Sequence, residues 1–213
     1  MNKSALLIGD VLMIVFFFFF PHLGILPMYA FPVVLLLICW LWLRIQKKNF
    51  ATIGFKWNQI PARAFITGIM LGIIYFFINY FLIGPSMNKL LHIPKADVSD
   101  FYFVRKSFSS YITILVIAWC LAIPFEEIIF RGFIFYKLLQ WTKKHFWIAG
   151  IISSFIFGLY HFQQGIGGIV HAFIFGMVAI GLYKYFKGNL WYLIFFHCAY
   201  DTVAITAIRL NYF

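Results

Sequence analysis

Two adjacent glutamates inside an apolar stretch are the strongest indication of chemistry in this chain. Glu126 and Glu127 are the only glutamates among 213 residues, and Arg131 follows in the same stretch. A charge at the centre of a membrane span costs about 2.5–3.5 kcal/mol on insertion scales, so such groups are usually paired and functional. Helical spacing puts Glu127 and Arg131 on one face, where we expect an ion pair. Glu126 is turned by about 100° and can face a polar cavity as a general base.

Three further polar residues lie in other apolar stretches. His161 ends a run that contains Phe157, and His197 precedes Asp201 by four residues near the end of the chain. The second spacing lets Asp201 orient the imidazole of His197, or lets both side chains reach one bound atom. Together with Glu126, these residues would supply the ligands of a hydrolytic zinc site, or a site that activates water without a metal. A purely structural cluster of buried charges is the alternative.

The elements that position these residues are predicted to be membrane helices. Hydrophobic residues make up 64% of the chain and charged residues 11%, with 29 Phe, which excludes a water-soluble domain. We expect an all-α polytopic membrane helix bundle of about seven transmembrane helices around an intramembrane polar site. The predicted spans are roughly 5–20, 25–43, 63–83, 109–138, 146–162, 168–186 and 190–208. The chain is interpreted as a single integral membrane domain, 1–213, with three spans and their connections in 1–108 and a four-helix catalytic core in 109–208.

The basic residues predict the orientation of the bundle. The chain has 17 Lys and Arg against 6 Asp and Glu, and most of the basic residues lie in short connections, so they indicate topology and not nucleic-acid binding. Eleven, Lys137 among them, fall on the side of the N-terminus and five on the other side. The N-terminus is therefore predicted to be cytoplasmic and the C-terminus outside. Segment 44–62 is either an interfacial stretch on anionic lipid or a solvated loop.

Polar residues and glycines outside these motifs are assigned other roles. Asp10 has no obvious partner, and a structural role is favoured for it. His171 is expected near the outer interface, where it could line a path for substrate, and His22 is expected to be solvated. Gly68 and Gly72 form a small-xxx-small pair that would let another helix approach closely. On ideal helices the depths of Glu126 and the two core histidines do not coincide, so tilted or broken helices would be needed to bring them together.

The order of these motifs resembles a known family. Glu-Glu-x-x-x-Arg at Glu126 to Arg131, Phe-x-x-x-His ending at His161, and His-x-x-x-Asp from His197 to Asp201 look like the motifs of the CPBP intramembrane proteases. These are relatives of the type II CAAX prenyl endopeptidase, also called Abi proteins, and many are linked to bacteriocin self-immunity. The resemblance covers about 109–205. It departs from the pattern at Asp201, where many members have Asn.

The resemblance implies an endopeptidase that hydrolyses a membrane-associated peptide or protein in a bacterial cell membrane. It assigns Glu126 and His161 to activating a water, His197 and Asp201 to holding a metal or stabilising the oxyanion, and Glu127 with Arg131 to ordering the site. Zn²⁺ held by Glu126, His161, His197 and Asp201 and a metal-free mechanism both stay open. Lipid and a peptide substrate are the expected partners, with no nucleic acid. The alternative functions are a catalytically silent bacteriocin-immunity or scaffold protein, and a transporter or proton relay.

Overall fold

The described part of the chain consists of apolar helices. The computed structural model describes residues 3–27, 29–57 and 60–212, and it contains no strand among them. The helices are α1 (Lys3–Phe19), α2 (Phe31–Ile45), α3 (Ala62–Leu90), α4 (Phe108–Trp141), α5 (Phe146–Tyr160), α6 (Gly165–Tyr185) and α7 (Leu190–Arg209). The predicted all-α polytopic bundle is therefore confirmed.

Five of the helical segments are long and apolar enough to cross a membrane. They are Ser4–Leu23, Ala62–Leu90, Phe108–Trp141, Phe162–Tyr185 and Leu190–Arg209, with lengths of 20 to 34 residues. At 1.5 Å per residue, 20 residues match a hydrocarbon core of about 30 Å. The other two, α2 and α5, have 15 residues each. Large apolar side chains such as Leu12 and Ile66 are about 60% exposed on the outside of the bundle, as a surface in contact with lipid requires.

Prolines interrupt the two longest helices. In α3 a π-helical turn, Asn79–Ile83, precedes Pro85, and in α4 a similar turn, Ala118–Ala122, precedes Pro124. Proline has no N–H to donate to the preceding turn, and a widened turn is one way in which a helix accommodates it. A second π-helical stretch, Glu127–Ile134, begins at the predicted site. The irregular turns of both helices thus lie close to polar residues.

Glycines allow α3 and α7 to pack closely. A Cβ atom added at Gly68 would lie 2.6 Å from Cβ of Phe195, and one added at Gly72 would overlap the main-chain oxygen of Phe196. The predicted small-xxx-small contact is confirmed, and its partner is the helix that carries His197. This contact fixes the position of α7 relative to α3.

A buried polar cluster apart from the predicted site joins α1, α2 and α4. The Oδ1 atom of Asp10 accepts hydrogen bonds from Trp42 Nε1 and Gln46 Nε2, each at 2.8 Å, and lies 2.8 Å from Lys137 Nζ. These partners are far from Asp10 in sequence, which is why none is obvious from the sequence, and the contacts fit the structural role favoured for Asp10. Lys137 is 1% exposed and is a buried partner of Asp10, although the sequence places it among the loop cations.

Segment 44–57 closes the end of the bundle that holds these residues. A turn of 3-10 helix, Phe50–Ile53, leads to Gly54, whose carbonyl accepts from the N–H of Leu190, while Lys56 O accepts from Trp191 Nε1. Ile53 is buried and Trp57 is 73% exposed. The segment is therefore docked on the start of α7 and does not form a plain solvated loop.

Candidate active site

The two adjacent glutamates have different environments. Glu127 is fully buried, whereas the side chain of Glu126 is 18% exposed and lines a cavity inside the bundle. Their side chains leave α4 in directions that differ by about 100°, as expected for consecutive helical residues. One carboxylate is thus enclosed by protein, and the other can reach a ligand.

Glu127 links α4 to α7. Its Oε1 atom accepts from Arg131 Nη1 at 3.1 Å and lies 2.7 Å from His197 Nδ1. The ion pair between Glu127 and Arg131 is the one that the spacing predicts. The guanidinium of Arg131 also lies 3.8 Å from the ring centroid of Phe157, which packs α5 against the pair. One carboxylate oxygen therefore holds residues from two helices together.

The contact between Glu127 and His197 corrects the sequence interpretation. Asp201 is the residue that the spacing suggests as the one orienting His197. Its Oδ2 atom instead lies 3.6 Å from His197 Nε2, while Glu127 makes the short contact to Nδ1. A carboxylate only accepts hydrogen bonds when ionised, so Nδ1 carries the proton and Nε2 points away from Glu127. Residues 127 and 197 are 70 positions apart, and no local spacing could indicate their contact.

The Nε2 atom of His197 faces the two carboxylates of the cavity. Glu126 Oε2 lies 3.9 Å from it and Asp201 Oδ2 lies 3.6 Å from it. The ring of Phe175 packs 4.6 Å from the imidazole, centroid to centroid, and holds it in place from α6. The arrangement directs one ring nitrogen and two carboxylates toward a common volume.

His161 is positioned by the end of α5. Its Nδ1 atom lies 2.9 Å from the carbonyl oxygen of Phe157. Since a carbonyl can only accept, Nδ1 donates and Nε2 is left as an acceptor. His161 follows the last residue of α5, Tyr160, and precedes a turn of 3-10 helix, Phe162–Gln164.

One cavity of about 870 Å³ contains the four residues predicted to act together. Glu126, His161, His197 and Asp201 all line it. The four side chains therefore face one space, although their helices supply them from different positions along the chain.

Two other histidines also line this cavity. His22 packs against Tyr160 and Phe162, with ring centroids 4.8 Å from each, so the prediction that it is solvated was wrong. His171 also lines the cavity, in contact with Asn79. Asn79 was missed, although a lone amide within the apolar run 63–83 was a signal that could have pointed to it.

The cavity residues Glu126, His161, His197 and Asp201 are of the types that bind metal ions. Within residues 3–27, 29–57 and 60–212, no three His, Cys, Asp or Glu side chains are grouped closely enough to hold one. His197 Nε2 forms ion-pair contacts with one oxygen of Glu126 and one oxygen of Asp201.

The fold and the cavity define a class of protein: an integral membrane helix bundle with a polar site enclosed between its helices. Residues 108–203, a little under half of the chain, match the sequence model of the family described as type II CAAX prenyl endopeptidase Rce1-like. The matched segment contains α4 to α7 almost completely, and the match supports the resemblance of its motifs to those of the CPBP proteases. No curated protein and no solved structure shows significant similarity to the chain.

Proposed function

We propose that this protein is an intramembrane endopeptidase in which Glu126 activates a water molecule for attack on a peptide bond. The observation that carries the proposal is the division between the two glutamates. Glu127 is buried and its Oε1 is engaged by Arg131 and His197, whereas Glu126 lines the cavity beside His197 Nε2. Of the two, only Glu126 faces the cavity, where it can contact a substrate while the ion pair between Glu127 and Arg131 stays intact.

The proposed reaction uses groups that face the cavity. Glu126 takes a proton from water while the water oxygen bonds to the carbonyl carbon of the peptide. His161 accepts a hydrogen bond from the same water through Nε2 and so orients it. The tetrahedral intermediate collapses as the C–N bond breaks, and Glu126 returns the proton to the departing amine. Negative charge on the former carbonyl oxygen is stabilised by His197 in its doubly protonated form, in which Nδ1 donates to Glu127 and Nε2 donates to the oxyanion.

Glu127 and Arg131 act on the reaction through His197. A carboxylate on Nδ1 fixes the orientation of an imidazole ring and favours a proton on that nitrogen. Arg131 neutralises the carboxylate and is itself held against Phe157. We therefore assign Glu127 and Arg131 as positioning residues, since neither lines the cavity.

The position of the cavity bears on the substrate. Its mouth includes Lys95 and Gln163, both exposed, which lie in connections at the end of the bundle opposite the N-terminus. The excess of basic residues around the N-terminal end supports a cytoplasmic N-terminus. In that orientation the substrate reaches the site from the outer side of the membrane. Cysteine-labelling of Gln163→Cys and Lys48→Cys in intact cells with an impermeant maleimide tests this, with labelling of the first variant and not the second expected.

Cleavage of a peptide by the purified protein tests the proposed chemistry. A synthetic farnesylated peptide with a CAAX tail is incubated with protein in detergent micelles, and its products are identified by mass spectrometry. We expect Glu126→Gln to lower the cleavage rate by about 10²–10⁴-fold, the usual contribution of a general base. Asp97→Asn, which alters an exposed carboxylate outside the cavity, is the matched control. Equal rates for wild type and Glu126→Gln would refute the role of Glu126.

The same assay separates the remaining alternatives. Activity that survives a strong chelator is expected for water activated by side chains. Loss of activity on chelation, restored by Zn²⁺, would instead assign Glu126, His161, His197 and Asp201 as metal ligands. A folded protein that cleaves nothing, yet protects cells against a bacteriocin, would favour the catalytically silent immunity protein.

A further inference from the structure

Three polar side chains form a hydrogen-bonded network on the wall of the cavity, apart from the glutamates. Asn79 of α3, His171 of α6 and Tyr200 of α7 all line the cavity. Asn79 Nδ2 donates to the hydroxyl of Tyr200 at 2.8 Å, and Asn79 Oδ1 lies 3.1 Å from His171 Nδ1. Asn79 is the first residue of the π-helical turn in α3, and single π turns within α-helices are frequent at functional sites.

The amide of Asn79 gives the network a direction. Its oxygen only accepts, so His171 Nδ1 must be the donor, and Nε2 is left as an acceptor. The hydroxyl of Tyr200 accepts from Asn79, so its own proton is available for donation. Within the described residues, neither His171 Nε2 nor the Tyr200 proton has another hydrogen-bond partner. The network therefore ends in one donor and one acceptor.

Both residues at the ends of the network line the cavity that contains the proposed site. Gly84, which also lines the cavity, lies beside the edge of the His171 ring, where an added Cβ atom would be 3.5 Å from Cε1 and 3.9 Å from Nε2. Tyr200 directly precedes Asp201, and its ring lies 5.1 Å from that of Phe175, which packs on His197. The donor and the acceptor thus belong to residues that line the same cavity as Glu126 and Asp201.

We infer that this network binds the main chain of a peptide in the cavity. A peptide group offers one carbonyl acceptor and one N–H donor, which are complementary to the Tyr200 hydroxyl and to His171 Nε2. Main-chain recognition of this kind holds an extended segment regardless of its side chains. The inference rests on the proposed function in one respect, because the bound segment is taken to be the substrate next to the bond that is cleaved.

Binding to an inactive variant tests the network independently of cleavage. The probe is the farnesylated CAAX peptide with a fluorescent label, titrated against Glu126→Gln protein in micelles. In this background we expect Tyr200→Phe to weaken binding by roughly threefold to tenfold, as for the loss of one hydrogen bond. The ring and its packing are retained. Tyr185→Phe is the matched control, because Tyr185 is 77% exposed and lies outside the cavity, and it should leave binding unchanged.

A backbone substitution in the peptide identifies the partner of His171. Replacing one amide N–H at a time by an ester oxygen should weaken binding at a single position, and that effect should vanish in His171→Phe protein. Such coupling in a double-mutant cycle would not arise from a merely structural role. Additive effects at every position, or unchanged binding by Tyr200→Phe, would overturn the inference.

The two proposals can fail separately. Cleavage that depends on Glu126, with binding insensitive to the network, would keep the proposed function and overturn the inference. Peptide binding that depends on the network, with no cleavage by the wild-type protein, would keep the inference and overturn the proposed function. A peptide that neither binds nor is cleaved would overturn both.

Discussion

Replacing Arg131 by Met removes one partner of a buried ion pair and leaves the other in place. Glu127 Oε1 would lose its contact of 3.1 Å with the guanidinium and keep only His197 Nδ1, while Oε2 has no partner among the described residues. Both ion-pair side chains are at most 1% exposed, so water cannot replace the lost partner without opening the core. The result is a buried carboxylate that is no longer neutralised.

The size of the effect follows from this burial. Breaking a buried pair from one side usually costs about 3–5 kcal/mol, more than the pair itself contributes, because of the charge that remains. We expect the free energy of unfolding of Arg131→Met to fall by that amount, a factor of about 100 to 4,000 in the folding equilibrium. In the double variant Glu127→Gln/Arg131→Met, both charges are absent and the amide oxygen can still accept from His197. Most of the lost stability should therefore return.

Unfolding by SDS in mixed micelles, followed by tryptophan fluorescence, measures these changes. The control is Arg63→Met, since Arg63 is exposed at the start of α3, and a shift within about 0.5 kcal/mol is expected for it. The double-mutant cycle should show a coupling of about 2–3 kcal/mol between Glu127 and Arg131. A cost below about 1 kcal/mol for Arg131→Met, or strictly additive effects in the cycle, would refute the assignment of a buried ion pair.

Further predictions concern residues around the site. Lys137→Met should destabilise the bundle by about 3–5 kcal/mol, and adding Asp10→Asn should recover most of this loss. SDS unfolding measures both changes, and a double variant that recovers no stability would contradict the pairing of Asp10 with Lys137. Gly72→Ala should cost about 1–3 kcal/mol because its Cβ meets a carbonyl of α7, whereas Gly181→Ala, with open space around it, should not. Asp201→Asn should keep the cleavage rate within about tenfold, because the amide can donate to the oxyanion; a fall of about 10²-fold or more would show that the charge itself is needed.

The sequence by itself determines the solvent of this protein and the residues that are exceptional in it. An apolar content of 64% requires lipid around the helices, and against that background the few charged residues stand out. The spacing of Glu127 and Arg131 also predicts their contact, because helical geometry relates residues four positions apart. The family motifs are likewise local, and each can be recognised within about five residues.

The tertiary structure alone decides which of these residues meet across helices. Glu127 and not Asp201 makes the short contact to His197 Nδ1, and Asp10 finds Lys137 more than 100 positions away. The direction of a side chain depends on tilt, on irregular turns and on where neighbouring helices end. None of these is encoded in a single periodic pattern. Contacts within one helix follow from the spacing of residues in the sequence. Contacts between helices depend on how the apolar helices pack, and the site is built mainly from such contacts.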